Sequence, residues 1–356
     1  MTIHVGIIGA GNISETHARA VFETKSAEVV AVYGQNVEKA RRLARLYGGA
    51  VDGDLESFLA HQPMEMVAIG SPSGLHAEQG IAAARRGLHV LVEKPIDISV
   101  ARADALIEAC DAGGVKLGVF FQDRVAPDIV RLKRIIDEGK LGRIMLASAR
   151  VKWFRPPEYY GASRWRGTWG LDGGGALMNQ GVHTIDLLLW LLGDVSRVCA
   201  RAVTALHEIE VEDTVVATLE FANGAVGTLE ATTAAYPGYP RQLELTGTEG
   251  TYILQHDRLI STDLRTPLDE FASDDDQRSS RNPIQNLNAS ATSPIVSDVR
   301  GHQEIFADFV RAIEQHGTPR CDGRDARRSV QLIEAIYESS RTGLPVSIHR
   351  RTDAGC

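Results

Sequence analysis

The first third of the chain alternates short apolar runs with stretches of helical periodicity. Short apolar runs bounded by turn residues predict buried strands, whereas apolar residues that recur with a helical period predict helices. Strands separated by helices need right-handed parallel crossovers, so the pattern predicts a doubly wound parallel sheet. The predicted strands are residues 3–8, 29–33, 66–69, 90–92 and 117–119, and the predicted helices are 12–25, 37–47, 75–86 and 100–112, with Asn36 and Ser99 as N-caps.

After residue 123 the pattern changes to successive strands with short turns. Asn223-Gly224 lies between two apolar segments and predicts a tight hairpin. Consecutive strands joined by hairpins form a mostly antiparallel sheet. The predicted strands here are 143–153, 195–205, 213–221, 225–231, 242–246 and 252–255, with helices at 127–138, 177–192, 303–315 and 325–342. We therefore expect an α/β protein with two domains, residues 1–123 and 124–356.

Composition narrows the class of protein. The 356 residues carry a formal net charge of −8, which argues against a nucleic-acid-binding protein because such proteins need a basic surface. No apolar run of about 18 residues is present, so no membrane span is expected. A strand pattern that begins at Ile3 leaves no room for a signal peptide. The cysteines Cys110, Cys199, Cys321 and Cys356 are scattered, so neither a metal site nor a disulfide framework is expected and the protein is predicted to be cytoplasmic.

One segment, residues 263–300, is polar and has little periodicity. Stretches of this length without regular structure are typical of lids, oligomer arms, surface excursions and disordered segments. We expect a long loop here.

The turn after the first predicted strand has the composition of a dinucleotide-binding site. Gly9 permits the tight turn, and Gly11 lets the backbone approach a pyrophosphate, whose charge meets the N-terminus of the next helix. Ser14 stands where a third glycine is usual and is small enough for close packing. Because Gly9, Gly11, Asn12 and Ile13 follow a strand and open a helix, we predict a dinucleotide-binding Rossmann domain in the first part of the chain.

The end of the second strand reads Gly34-Gln35-Asn36 and has no acidic residue. NAD-binding folds usually place Asp or Glu here, where it bonds the ribose hydroxyls and repels a 2′-phosphate. Lys39 on the next helix could attract such a phosphate, while Gln35 and Asn36 could equally bind ribose hydroxyls. NAD and NADP both fit, and the sequence favours NADP slightly.

Two further motifs place polar groups where chemistry is expected. Lys94 in Glu93-Lys94-Pro95 follows a predicted parallel strand, and ligands of doubly wound sheets bind at the carboxyl ends of the strands. Asn179, His183 and Asp186 are spaced i, i+4, i+7 in the predicted helix 177–192, so they share one face. A lone histidine on a buried helix is often only a hydrogen-bonded core residue, although histidine also suits proton transfer at neutral pH.

Together these motifs resemble the Gfo/Idh/MocA family of oxidoreductases. The pieces that carry the likeness are Gly9-Ala10-Gly11-Asn12-Ile13, Ser71-Pro72-Ser73 with His76, Glu93-Lys94-Pro95, Gly173-Gly174-Gly175-Ala176-Leu177-Met178-Asn179 with His183 and Asp186, and Asp308-Phe309 with Asp322-Gly323-Arg324. The resemblance implies a Rossmann domain followed by a substrate-binding and oligomerisation domain with an open antiparallel sheet. It also implies a substrate pocket between the two domains, a cis peptide before Pro95, and homodimers or homotetramers formed through the C-terminal sheet.

The resemblance assigns chemistry to three residues. Oxidising an alcohol moves a hydride to the nicotinamide and a proton to the protein. His183 is predicted to be the general acid/base, and Lys94 to hydrogen-bond the reacting oxygen and stabilise its alkoxide character. Relatives often have Asp where Asn179 stands. Because an amide cannot ionise, Asn179 is predicted to position a substrate hydroxyl.

Aromatic and basic residues crowd the segment before the triple glycine. Sugar rings stack on aromatic side chains, and guanidinium groups hold carboxylates and phosphates; the alternative is a solvated loop whose rings anchor it in the core. The predicted substrate-binding residues are Lys94, Arg124, Arg155, Tyr160, Trp165, Arg166, Asn179 and His183, and the predicted cofactor-binding residues are Gly9, Gly11, Asn12, Ile13, Gly34, Gln35, Asn36, Lys39, Ser71, Pro72, Ser73, His76, Glu93, Lys94 and Gln122.

These patterns predict an NAD- or NADP-dependent dehydrogenase or reductase that moves hydride between the nicotinamide and a carbon of a sugar, polyol or sugar acid. Two other functions stay open. One is an NAD-dependent glycoside hydrolase of the same fold, which would turn over without net consumption of cofactor. The other is a cofactor-binding regulatory protein. The presence of Lys94 and His183 argues against it, because such a protein needs no catalytic groups.

Overall fold

A computed structural model describes residues 2–266 and 299–349. These residues form two compact units. The first unit contains residues 2–125, 168–173 and 299–330, and the second contains residues 126–167, 174–266 and 331–349. The first unit therefore extends beyond the boundary expected at residue 123 and takes in parts of the chain that sequence reasoning placed in the second domain.

The first unit is built on a six-stranded parallel sheet. Its strands are β1 (Ile3–Ile8), β2 (Ala27–Tyr33), β3 (Ala50–Asp52), β4 (Met66–Ile69), β5 (His89–Glu93) and β6 (Leu117–Phe120). They lie in the order β3-β2-β1-β4-β5-β6, and every pairing is parallel. The order reverses between β1 and β4, which is the place where doubly wound sheets bind ligands. The predicted doubly wound sheet is confirmed.

Two of the described helices begin at the N-caps that the sequence predicts. They are α1 (Asn12–Phe22), α2 (Val37–Tyr47), α3 (Leu55–Leu59), α4 (His76–Ala84), α5 (Val100–Ala112), α6 (Pro127–Asp137), α7 (Pro157–Gly161), α8 (Val182–Leu192), α9 (Arg300–Glu314) and α10 (Gly323–Thr342). The side chain of Asn36 accepts a hydrogen bond from Lys39 N, and that of Ser99 accepts one from Arg102 N. Both predicted N-caps are confirmed.

Helix α9 belongs to the first unit because its apolar face completes that unit's core. Phe306, Phe309 and Val310 of α9 are buried in one cluster with Leu91 of β5 and Phe120 of β6. Burial of large side chains such as these stabilises a fold by about 1.5–3 kcal/mol each. Helix α9, although it comes late in the chain, thus helps to support strands β5 and β6.

The second unit is built on an eight-stranded, mostly antiparallel sheet. Its strands are β7 (Ile144–Lys152), β8 (Val195–Val203), β9 (Thr214–Phe221), β10 (Val226–Thr232), β11 (Gln242–Gly247), β12 (Gly250–Gln255), β13 (Arg258–Leu264) and β14 (Val346–Ser347). They lie in the order β13-β12-β11-β7-β10-β9-β8-β14. Only the β7–β10 pairing among these strands is parallel. The hairpin predicted at Asn223-Gly224 joins β9 to β10, which confirms that prediction.

The helix predicted over 177–192 is wrong in its first turn. Ala176–Gly181 form a π-helical turn, and α8 begins only at Val182. Glycine is required at the entry, because a Cβ on Gly175 would lie 1.8 Å from the carbonyl oxygen of Glu212. Single π-helical turns are rare and occur often at functional sites, and this one carries Asn179.

Several elements were not predicted, namely β3, α3, α7, β13 and β14. The polar segment predicted to be a loop from residue 263 begins inside β13, since Asp263 and Leu264 are strand residues. The part of that segment between 267 and 298 lies outside the described residues. None of the described helices is long and apolar enough to cross a membrane.

Candidate cofactor and catalytic sites

The turn between β1 and α1 is shaped by its glycines. Gly9 has φ of +112°, and a Cβ there would lie 2.4 Å from Ser14 Oγ and 2.7 Å from Gly70 O, so the turn requires glycine. Gly11 is the N-cap of α1. A Cβ on Gly11 would meet no atom of the described residues within 4 Å. The space outside Gly11 is therefore open, and the first-turn N–H groups of α1 face it.

A second observation in the same unit also points to a ligand. The side-chain oxygen of Gln122, in the turn after β6, is buried and has no hydrogen-bond partner among the described residues. Buried polar atoms without a partner are rare in native proteins. We call the open space outside Gly11, which the first turn of α1 borders, the cradle. The cradle and the buried oxygen of Gln122 fit the nicotinamide nucleotide that the sequence predicts. Gly11, Asn12 and Ile13 would hold its pyrophosphate through backbone N–H groups.

Gly11→Ala separates the cradle's role in binding from any role in folding. We expect the melting temperature to stay close to that of the wild type, because the added methyl meets no described atom. We expect the affinity for NAD and NADP to fall at least about tenfold, because the methyl would stand where the pyrophosphate is predicted to approach the backbone. Calorimetric titration and thermal unfolding check both results. Gly53→Ala, at another glycine with open space around it, is the matched control, and unchanged affinity in Gly11→Ala would refute the assignment.

The region after β2 cannot take a side chain at its first position. A Cβ on Gly34 would lie 2.8 Å from the Cβ of Ala10. Gln35, Asn36 and Lys39 are exposed, and Asn36 Oδ1 accepts a hydrogen bond from Lys39 N at 3.0 Å. A carboxylate that reads the ribose would therefore have to stand at position 35 or 36 in this chain, and not at 34.

The predicted cofactor residues after β4 are held by side-chain contacts. Ser71 Oγ donates to Gln79 Oε1 at 2.6 Å. His76 is buried between two backbone carbonyls, with its ring nitrogens 2.9 Å from Ser71 O and 2.8 Å from Pro95 O. Burial lowers the pKa of His76. His76 thus joins the loop after β4 to the loop after β5, and its predicted contact with the cofactor stays a prediction.

Lys94 occupies the turn at the carboxyl end of β5. It is half-buried, while Glu93, Pro95, Ile96 and Asp97 around it are buried. The Lys94–Pro95 peptide is cis, as the family resemblance implies. Within Glu93–Asp97, Lys94 is thus the residue that is not buried, and its predicted contact with the substrate stays a prediction.

Arg124 does not fit the substrate-binding role predicted for it. Its side chain is 1% exposed and forms an ion pair with Asp325 of α10, within the first unit. Arg124 and Arg328 both bond this carboxylate and hold the pKa of Asp325 below its usual range, although burial acts in the opposite direction. A buried guanidinium that neutralises an internal carboxylate is not available to a substrate.

In the second unit, Glu212 anchors the π-helical turn. Its carboxylate accepts hydrogen bonds from Gly175 N at 2.9 Å, Leu177 N at 2.8 Å and Tyr337 Oη at 3.0 Å. Burial raises the pKa of Glu212 to about 7, although these three donors favour the ionised form. Glu212 satisfies backbone N–H groups that the start of a helix leaves without partners, and so fixes the turn that carries Asn179.

A chain of hydrogen bonds leads from Asn179 to a buried arginine. Gln180 Nε2 donates to Asn179 Oδ1 at 3.0 Å, and Gln180 Oε1 accepts from Arg155 Nη2 at 3.0 Å. Gln180 Nε2 also lies 3.1 Å from the hydroxyl of Tyr159. Because its oxygen is held by Gln180, the amide of Asn179 has a fixed orientation.

Two guanidinium groups lie over the ring of Tyr159. Those of Arg155 and Arg166 are 5.6 Å and 4.3 Å from its centroid, and Arg166 is 5.4 Å from that of Trp165. Burial lowers the pKa of Arg155. Tyr160, predicted to contact substrate, bonds Thr233 Oγ1 at 2.8 Å. This part of the unit therefore concentrates positive charge on an aromatic surface.

His183 lies in the first turn of α8 and is 9% exposed, while Asp186 one turn later is 1% exposed and belongs to the interior.

Sequence reasoning missed Gln180, Glu212, His17 and His302 as possible members of the sites. Gln180 directly follows Asn179 in the sequence, and this position could have identified it as a candidate. The other three reach their partners through tertiary contacts that no local pattern reveals.

Comparison with known proteins agrees with this geometry. Residues 3–121 match the model described as an oxidoreductase family with an NAD-binding Rossmann fold, and residues 129–253 match the GFO/IDH/MocA C-terminal domain. The WlbA dehydrogenase from Bordetella pertussis, solved in complex with NADH and UDP-GlcNAcA, is 32% identical over 98% of both chains, with a TM-score of 0.87. Levoglucosan dehydrogenase from Pseudarthrobacter phenanthrenivorans is 27% identical over 95% of this chain and 96% of its own. Inositol 2-dehydrogenase from Rhizobium meliloti is 27% identical over 98% and 100%. The chain therefore belongs to the Gfo/Idh/MocA family of oxidoreductases.

Proposed function

We propose that the protein is an NAD(P)-dependent dehydrogenase or reductase acting on the CH–OH groups of a sugar, polyol or sugar acid. The likeness over 98% of both chains to a dehydrogenase bound to NADH and UDP-GlcNAcA carries this proposal. The inositol and levoglucosan dehydrogenases support the same reaction class. The open cradle at Gly11 supports the cofactor.

Three side chains would perform the protein's part of the reaction. The nicotinamide, when bound, supplies the hydride acceptor or donor. Lys94 would hydrogen-bond the reacting oxygen and stabilise its negative charge. His183 would take the hydroxyl proton during oxidation and return it during reduction. Asn179, whose amide oxygen accepts from Gln180, would direct its amide N–H toward a substrate oxygen.

The finer proposal is that the substrate carries a carboxylate. The guanidinium groups of Arg155 and Arg166 share the ring of Tyr159, and Arg155 is connected to Asn179 through Gln180. Guanidinium groups match carboxylates in geometry and charge, and the aromatic surface suits a sugar ring. A nucleotide-linked sugar acid, of the kind named for the WlbA dehydrogenase complex, is the first substrate to test.

A substrate screen tests this function. Nucleotide-linked sugar acids, free uronates, neutral sugars and inositols are incubated with NAD and with NADP, and absorbance of the reduced nicotinamide is followed. We expect reduction with a sugar acid, and we expect Arg166→Ala to raise KM for it more than for a neutral sugar. A substrate that is neutral, with KM insensitive to Arg166→Ala, would refute the sugar-acid proposal. Failure of all CH–OH compounds would refute the function.

Discrimination against a 2′-phosphate is expected to be weak. The end of β2 has no acidic residue, and Lys39 is exposed within the first turn of α2. We expect NADP to bind no worse than about tenfold weaker than NAD, a gap of about 1.4 kcal/mol. Asn36→Asp should penalise NADP while it keeps the N-cap of α2, and Lys39→Ala should weaken NADP selectively. Calorimetric titration of both cofactors decides; strong wild-type preference for NAD, untouched by Lys39→Ala, would contradict this electrostatic argument.

We also propose that the protein is a homodimer or homotetramer formed through the second unit's sheet. One face of that sheet is solvent-exposed, and Leu146, Val216 and Val226 on it are each about half exposed. Large apolar side chains that are exposed on a sheet face are found at interaction sites. Light scattering measures the mass in solution, and a monomer at micromolar concentration would refute the proposal.

A further inference from the structure

A buried cluster of three titratable residues lies behind Lys94 in the first unit. His17 comes from α1, Glu93 ends β5, and His302 comes from α9. They are 1%, 5% and 1% exposed. We call these residues the His–Glu–His cluster. Glu93 is one of the residues predicted to bind the cofactor, but neither the predicted reaction nor the family match assigns a function to the cluster as a whole.

The hydrogen bonds of the cluster converge on one carboxylate. Nε2 of His17 and Nε2 of His302 lie 3.1 Å and 3.2 Å from Glu93 Oε1, while Glu93 Oε2 accepts from Lys94 N at 3.0 Å. Burial alone would raise the pKa of Glu93, but the hydrogen bonds from the two histidines hold it well below its usual value. Glu93 is therefore an ionised acceptor with three donors, one of which is the backbone of Lys94.

The side chains of the His–Glu–His cluster are also of the types that bind metal ions. The three side-chain atoms lie within 4.8 Å of one another, and transition metals bind imidazole and carboxylate groups. A metal-bound histidine normally donates its second ring N–H to a carbonyl, carboxylate or water. Nδ1 of His17 and Nδ1 of His302 have no hydrogen-bond partner among the described residues. The arrangement thus fits imidazoles that each donate from Nε2 to Glu93.

Packing also holds the imidazole rings of His17 and His302 in place. The His17 ring stacks on Phe120 with centroids 4.3 Å apart, and the His302 ring lies 5.3 Å from the same phenyl ring. A donor whose ring cannot rotate holds its acceptor in one place. Glu93, and with it the N–H of Lys94, is therefore held by α1 on one side and by α9 on the other.

The other side of the Lys94 turn is held just as firmly. Pro95 O lies 2.8 Å from Nδ1 of His76. Asp97 is completely buried, and its carboxylate accepts from Ala77 N at 2.7 Å and from Arg102 Nε at 2.6 Å. The backbone is therefore fixed both before and after Lys94. A lysine that only interacts with solvent would not need a backbone held on both sides.

We propose that the His–Glu–His cluster is a positioning network for Lys94, which fixes the backbone at that residue and so the direction from which its ammonium group meets the substrate oxygen. The inference rests on the proposed role of Lys94 in the reaction. Catalytic groups need geometry held to within a fraction of an ångström by their supporting contacts. Because α1 also forms the open cradle at Gly11, one helix would hold both the cofactor's phosphates and the support of the lysine.

Variants of His302 test the network without removing a catalytic group. His302→Leu removes the donor to Glu93, and His302→Gln keeps an N–H donor near the same position. We expect His302→Leu to lower kcat by about tenfold or more, since small misplacements of a reacting group can cost about 10²-fold, with a smaller change in KM. His302→Gln should restore most of the turnover. His61→Leu, at a half-buried histidine elsewhere in the unit, is the matched control and should behave like the wild type.

The Lys94→Ala background separates positioning from general destabilisation. If the cluster acts through Lys94, His302→Leu costs nothing further in that background, because the pair is coupled. The same fold-loss in both backgrounds, equal losses in His302→Gln and His302→Leu, or a stoichiometric metal ion in the purified protein would overturn the proposal. Full activity of Lys94→Ala would overturn the proposed site together with it. An inactive Lys94→Ala beside a fully active His302→Leu would overturn the network alone.

Discussion

Replacing Lys94 with alanine is expected to lower kcat by about 10²-fold or more, while the dissociation constant of the nicotinamide nucleotide changes little. The proposed role is to stabilise the oxygen that becomes alkoxide-like, and electrostatic stabilisation of this kind is worth about 10²–10³-fold per group. Ground-state binding of the cofactor is proposed to depend instead on the turn at Gly11.

Steady-state kinetics with the substrate found by the screen, together with calorimetric titration of the cofactor, check this result. Lys116→Ala is the control, since Lys116 is a partly exposed lysine that contacts His316 O in the same unit. Turnover like that of the wild type in Lys94→Ala would mean that the lysine is not part of the reaction, and the proposed site would then have to be abandoned.

Removing the imidazole of His183 is expected to have a loss of similar size. Proton transfer by a positioned side chain contributes about 10²–10⁴-fold, so His183→Ala should lose at least about 10²-fold in kcat. His183→Gln keeps a hydrogen-bonding side chain but cannot take a proton, and should be impaired as severely. His256→Ala, at a half-buried histidine of the same unit, should keep its activity. Substantial turnover in His183→Gln would show that hydrogen bonding at this position is sufficient and that the proton acceptor lies elsewhere.

Strand and helix patterns predicted the layers of the fold because local signals and tertiary packing agree there. The helices Val37–Tyr47 and Val100–Ala112 have the predicted bounds, since each begins at a side chain that caps it. The three-residue strand β3 and the two-residue strand β14 were missed because they exist only through pairing with β2 and β8. Strands so short have no periodicity to detect.

The candidate sites divide in the same way. Gly9 and Gly11 were predicted because the glycine turn is a local motif with a local physical cause. His302 meets Glu93 across 209 residues of sequence, and Arg124 meets Asp325 across 201, so no pattern along the chain reveals either contact. The π-helical turn at Asn179 was missed because its cause, the carboxylate of Glu212, lies on a different segment.

The fate of the hydride tests the central claim most directly. A sugar substrate deuterated at its ring carbons is incubated with oxidised cofactor, and the reduced cofactor is analysed for deuterium at C4 of the nicotinamide. We expect one labelled, reduced nicotinamide for each sugar oxidised, and loss of this labelling in Lys94→Ala and in His183→Ala. Consumption of sugar without net reduced cofactor, or reduced cofactor without deuterium, would contradict the assignment of this chain as a dehydrogenase or reductase.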